Sequence, residues 1–207
     1  MAKTVLIPGF AVGLTTPIFR PGFGVSAGFS AWKKPITAGE AAVFYWGINR
    51  QVNLWQILNP FFLRDHYEDE KILAQATETF ERLRVFLEQA QPTKIVCHSM
   101  GGFLLNQYCK KFSLPSSVKK IFLVQSDLSI KDKINFPVDD LSVYNIFCPW
   151  DPTLLISWLY NRVWRVGLGP IKVKGFKNIS FPLFRPLNLH TSSIRDPGLV
   201  SLIEKIK

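Results

Sequence analysis

The stretch Lys94-Ile95-Val96-Cys97-His98-Ser99-Met100-Gly101-Gly102 constrains this chain more than any other. Ile95 to Cys97 have the composition of a short buried strand, and Gly101, Gly102, Phe103, Leu104 and Leu105 begin a helix, which leaves Ser99 on the turn between them. A sharp strand-to-helix turn is strained and its neighbours approach closely, so it needs small residues on both sides of its apex. The flanking positions here are Cys97 and Gly101, both small.

The surrounding pattern predicts a sheet to hold that turn. Thr4 to Ile7 reads as an apolar strand ended by Pro8-Gly9-Phe10, and Ala42 to Trp46 as a second strand. Asn53 to Phe62 reads as a short helix or irregular connection ending near Pro60. From about Tyr67 to Gln91, Ile72, Ala76, Phe80, Leu83, Leu87 and Ala90 recur at steps of three and four, which predicts one long amphipathic helix stopped by Pro92. The turn helix is expected from Gly101 to Phe112. Lys120 to Val124 and Leu141 to Cys148 read as further strands, with Gln125-Ser126-Asp127 and Pro149-Trp150-Asp151 at their ends. A last strand is expected between Ile171 and Phe184, and a closing helix over Leu199 to Ile206. Strands alternating with helices imply an α/β fold: a mostly parallel sheet of about six strands with helices on both faces and its ligand site at the carboxyl ends of the strands.

At 207 residues and 47% apolar composition, the chain is expected to form one domain over 1–207 with a sizeable core. Three cysteines (Cys97, Cys109, Cys148) in an odd count without metal-like spacing read as reduced core residues. Met1-Ala2-Lys3-Thr4 runs straight into a strand, leaving no room for a signal peptide, and no apolar run approaches the ~18 residues of a bilayer span; a cytoplasmic protein is expected. The formal charge of +10 is uneven: residues 65 to 88 carry seven acidic residues against three basic ones, whereas Pro152 to Arg195 holds seven Lys or Arg and no acid. No arginine-rich run, zinc spacing or aromatic RNA-binding box accompanies that charge, so no nucleic-acid partner is expected. The basic segment contains an apolar stretch, Thr153 to Val166, and together they suggest weak association with an anionic membrane surface.

Cys97-x-Ser99-x-Gly101, within His98-Ser99-Met100-Gly101-Gly102, resembles the nucleophile elbow of the serine esterases and lipases of the α/β-hydrolase superfamily, with cysteine in place of the first glycine of G-x-S-x-G. The resemblance runs through motifs in order over most of the chain. It implies that Ser99 is a nucleophile and that two backbone N–H groups hold the developing oxyanion: that of Met100, after the serine, and that of Phe10, in the loop after the first strand. A serine hydroxyl needs a base, and the base a partner that fixes its tautomer. Of the three histidines, His66 opens a helix and His98 directly precedes the serine, where it is expected to shape the pocket or pack. His190 lies on a loop between the last strand and the closing helix, where the resembled family carries its catalytic histidine. Asp151, after the later strand, is the expected acid, and Asp127, after the earlier one, is the alternative. The order Ser99, Asp151, His190 agrees with the family's order.

The expected activity is hydrolysis of a small-molecule or lipid carboxylic ester through an acyl-enzyme, with no metal or organic cofactor required. An acyltransferase, or a hydrolase-like module that binds a partner without chemistry, is the alternative. Only about fifteen residues join the fourth and fifth strands, too few for a cap domain, so cover for the site is expected from residues 11–40 or 152–186.

Overall fold

A computed structural model of the chain describes residues 2–9, 12–14, 29–46, 50–52, 60–181, 190 and 193–206. Six strands form one parallel sheet: β1 (Thr4–Ile7), β3 (Ala41–Val43), β5 (Lys94–His98), β6 (Lys120–Val124), β7 (Ser142–Phe147) and β8 (Phe176–Ser180), in the order β3-β1-β5-β6-β7-β8. Two short strands, β2 (Val12–Leu14) and β4 (Arg50–Val52), pair in parallel with each other outside that sheet.

The inner strands β1, β5, β6 and β7 are mostly apolar and buried because both faces are covered, whereas the edge strand β8 is largely polar and exposed. Val5, Ile7, Ile95, Cys97, Ile121, Leu123 and Val143 point to one face, where they pack with Phe80, Leu83 and Leu87 of helix α3 (Thr77–Ala90) and with Leu104, Leu105 and Tyr108 of helix α4 (Met100–Cys109). Leu6, Val96, Phe122, Val124, Tyr144 and Ile146 alternate to the other face, against Phe29, Trp32 and Leu199, Val200 and Ile203 of helix α6 (Pro197–Lys205). Each such fully buried aliphatic side chain contributes roughly 1.5–3 kcal/mol by leaving water, so the period-2 alternation fixes which residues at the strand ends share a side.

The long helix expected over Tyr67 to Gln91 is two helices, α2 (Pro60–Leu73) and α3, interrupted at Ala74-Gln75-Ala76. Nothing in that tripeptide breaks a helix. Ala74 is fully buried and Ala76 is extended (φ −69°, ψ 137°), so packing overrides propensity there. The break redirects the apolar stripe: Ile72, placed on the buried face by the single-helix reading, is 67% exposed. Pro60 begins α2 rather than ending an element, as suits proline's fixed φ at a first helical position. The turn helix starts at Met100 and stops at Cys109, short of Phe112, and the stretch from Thr153 condenses into helix α5 (Pro152–Asn161). Among the described residues of 11–40, a 3-10 turn (Ser30–Trp32) leads into a short helix α1 (Lys33–Thr37).

The sheet order places a reversal beside β1: the chain moves from β1 outward to β3, then returns to build β5 on the other side. A crevice at the carboxyl ends of β1 and β5 is where an open parallel sheet offers a ligand site. Pro8 and Gly9 leave β1 there, and Ser99 leaves β5 there. Among the described residues, no helix is long and apolar enough to cross a membrane.

Candidate active site

Ser99 stands between β5 and α4 with φ 52° and ψ −124°, in the left-handed half of backbone space that a non-glycine residue occupies only at a cost of order 1–3 kcal/mol. The surroundings hold it there. Ser99 N–H donates to Val124 O at 3.1 Å, and its carbonyl accepts from Asp127 N at 3.1 Å and from Gly102 N at 3.1 Å. Small neighbours make the turn possible: a Cβ on Gly101 would overlap Ile7 O and lie 2.7 Å from Pro8 O, and one on Gly102 would overlap Ser126 Oγ. Gly9 faces the serine itself. A Cβ there would overlap Ser99 Cβ and lie 2.8 Å from His98 O and 3.0 Å from Ser99 Oγ.

Asp151 begins α5 and uses its two carboxylate oxygens for different tasks. Oδ1 caps the helix, accepting from Thr153 N at 3.0 Å and Leu154 N at 3.1 Å, with Pro152 at the first helical position. Oδ2 accepts from His190 Nδ1 at 2.6 Å and from Gln125 Nε2 at 2.5 Å. Burial alone would raise the carboxyl's pKa. The His190 ring beside it, the hydrogen bond between them and the Leu154 N–H outweigh burial and hold it below the usual aspartate value. A carboxylate that remains ionised accepts from Nδ1–H, which leaves the lone pair of His190 on Nε2. That atom is buried and has no hydrogen-bond partner among the described residues.

Two further residues complete the support: Gln125, whose part the sequence did not reveal, and His98, expected to shape the pocket or pack. Gln125 follows β6 at φ 44°; besides donating to Asp151, its Oε1 accepts from Ser193 Oγ, tying the acid to the segment after His190. His98 is buried, with its ring centroid 4.6 Å from that of His190, and its Nε2 lies 3.0 Å from the His190 carbonyl oxygen. A carbonyl can only accept, so His98 Nε2 carries a proton. Burial, then the neighbouring His190, push the His98 pKa down to about 3, which keeps the ring neutral. The sequence signal for both was present, polar residues at strand ends, but nothing local shows which loop they would reach.

Asp127 lies elsewhere. Tyr67 Oη donates to its Oδ2 at 2.7 Å, Ser157 Oγ donates to its Oδ1 at 2.9 Å, and Arg165 Nε lies 3.3 Å from Oδ1. Burial and then the adjacent Asp127 charge push the Tyr67 phenol well up, so it stays a donor. Of the two aspartates considered, the structure brings Asp151 to His190 and commits Asp127 to Arg165. Arg165 is thereby buried at 6% exposure and withdrawn from the basic surface expected over Pro152 to Arg195. Met100 is the first residue of α4, where a backbone N–H has no partner within the helix. Phe10, the other expected oxyanion donor, lies outside the described residues, as does the side chain of His66. Among the described residues, no cluster of His, Cys, Asp or Glu could hold a metal ion.

Neither a family model nor a curated protein matches this chain, so the functional reading rests on its own geometry.

Proposed function

We propose that the chain is a serine hydrolase of the α/β-hydrolase type, cleaving carboxylic esters through Ser99, His190 and Asp151. The observation that carries the reading is the His190 Nδ1–Asp151 Oδ2 bond, which leaves a buried Nε2 unpartnered among the described residues, on a histidine whose carbonyl is held by His98, the neighbour of the strained Ser99. In the reaction, Ser99 Oγ attacks the ester carbonyl as its proton passes to His190 Nε2. The Met100 N–H receives the oxyanion, and the loop after Gly9 supplies the second donor from Phe10. His190 returns the proton to the leaving alcohol, takes one from water as it attacks the acyl-enzyme, and gives it to Ser99 Oγ as the carboxylic acid departs. Asp151 stays ionised throughout and stabilises the imidazolium. His190 Nε2 makes no hydrogen bond to the Ser99 hydroxyl in this structure, so the mechanism requires that bond to form in the substrate complex; catalytic hydrogen bonds are often long without substrate. Labelling by a fluorophosphonate probe, followed by nitrophenyl esters of rising chain length, tests the reading. Adding a competing alcohol separates hydrolysis from acyl transfer.

An anionic lipid interface is the surface on which the enzyme would work. Trp150 is 76% exposed and Leu159 65%, and Ile130 and Trp164 are exposed too, joined by Ile130 N–H donating to Trp164 O at 3.1 Å. The side chains of Lys131 and Arg162 lie exposed in the same segments. Aromatic residues beside basic ones match the boundary of such a membrane, where each Lys or Arg adds about 1 kcal/mol. Co-sedimentation with neutral and anionic vesicles at two salt concentrations tests it: equal binding to both, or none to either, removes the idea.

A further inference from the structure

A cavity of about 270 Å³ opens beside the turn helix, with Met100 and Phe103 forming one wall. Met100 follows Ser99 directly, and Asp127, which also lines the cavity, donates its N–H to the Ser99 carbonyl at 3.1 Å, so two lining residues adjoin the backbone of the proposed nucleophile. Its charged lining is Lys71, Lys131 and Arg165 against Asp127 and Asp132.

The acids are already engaged by the protein. Both oxygens of Asp127 take bonds from Tyr67 and Ser157, and Oδ2 of Asp132 accepts from Ser129 N at 2.9 Å. The cations are less committed. Lys71 is 3.9 Å from Glu68 in a half-exposed pair, and Lys131 has no carboxylate partner among the described residues. Arg165 is paired with Asp127, its Nε 3.3 Å from Oδ1 and its Nη1 donating to Asp127 O at 3.3 Å, but a guanidinium carries five N–H donors and these two contacts use two of them. A buried ion pair is rarely retained for stability, because desolvation offsets its attraction. A buried guanidinium with donors to spare, lining a cavity with two lysines, has the chemistry of a carboxylate receptor.

We infer that this cavity is a substrate subsite for a carboxylate, so that the preferred ester carries a second, anionic group on a short chain. This rests on the hydrolase reading above. Met100 and Phe103 would line the methylene chain, and Arg165, Lys71 and Lys131 would receive its end. The small volume favours short chains over long fatty acyl groups.

The test compares 4-nitrophenyl hexanoate with the mono-4-nitrophenyl ester of adipic acid, which differ only in the terminal group. The wild-type protein is expected to favour the adipate ester at least tenfold in kcat/KM at low salt. In the Lys71→Ala, Lys131→Ala double variant the ratio should fall at least fivefold, through KM for the adipate ester. A ratio at or below one, or one the double variant leaves unmoved, overturns the inference. Should neither ester be cleaved, the hydrolase reading fails by itself. The subsite is then read by calorimetric titration of adipate into the wild-type and double-variant proteins: binding weakened at least fivefold by the substitutions supports it, and no binding, or equal binding, overturns it.

Discussion

His190 Nδ1 and Asp151 Oδ2 lie 2.6 Å apart, and the same carboxylate caps α5 through its other oxygen. The acid is thereby fixed by a helix and by Gln125 before the histidine reaches it, so the imidazole is oriented by a group that cannot rotate away. Asp151→Asn should keep the helix cap but reverse the tautomer preference of His190, lowering turnover by about 10⁴-fold.

Asp127→Asn is expected to act on stability instead. It leaves the Arg165 guanidinium buried without its counter-charge, a change that typically costs about 3–5 kcal/mol. Urea unfolding and ester turnover on the two variants separate the roles. A mild Asp151→Asn beside an inactive but stable Asp127→Asn would assign the acid to the earlier strand.

Gly9→Ala tests the close approach between the β1 loop and the serine. The added methyl must displace Ser99 or the loop, and a misplacement near 1 Å can cost on the order of 100-fold in rate. Turnover should fall by at least that factor, and thermal stability should fall too, by about 1–3 kcal/mol, because the overlap is with Ser99 Cβ and a backbone carbonyl. Unaltered kinetics would show that the approach is not needed.

His98 predicts a pH effect on stability. Its folded pKa, about 3, lies below the unfolded value near 6.5, so between them the unfolded chain binds a proton that the folded chain does not. That contribution is complete above pH 6.5 and is lost as pH falls toward 3, amounting to about 2 kcal/mol by pH 5. His98→Gln, which can still donate to the His190 carbonyl, should lose that part of the slope in unfolding measured at pH 7 and pH 5. An unchanged slope would contradict a buried neutral His98.

The turn around Ser99 was legible because its constraint is local: small residues and a strand-to-helix switch within nine positions. The inner strands were legible because burial on both faces makes them apolar runs, as in Ile121 to Val124 of a strand expected and found over Lys120–Val124, whereas the exposed edge strand Phe176–Ser180 carries no such run. The helix break at Ala74 to Ala76 was not, since those residues favour helix and only packing interrupts it. The order along the chain favoured Asp151 over Asp127, and the structure sets Asp151 against His190 and Asp127 against Arg165, a contact across 38 residues that has no local mark. Gln125 at positive φ, bridging Asp151 and Ser193, likewise has no local mark.

The measurement that bears most directly on the whole account is fluorophosphonate labelling of the wild-type protein and Ser99→Ala, read by peptide mass spectrometry. Alanine keeps the Ser99 Cβ and removes only the hydroxyl oxygen, so the variant should fold as the wild type does by circular dichroism. One adduct is expected, on the peptide containing Ser99, and none on the folded variant. Full labelling of Ser99→Ala, or no labelling of the wild-type protein, would contradict a serine hydrolase built on this residue.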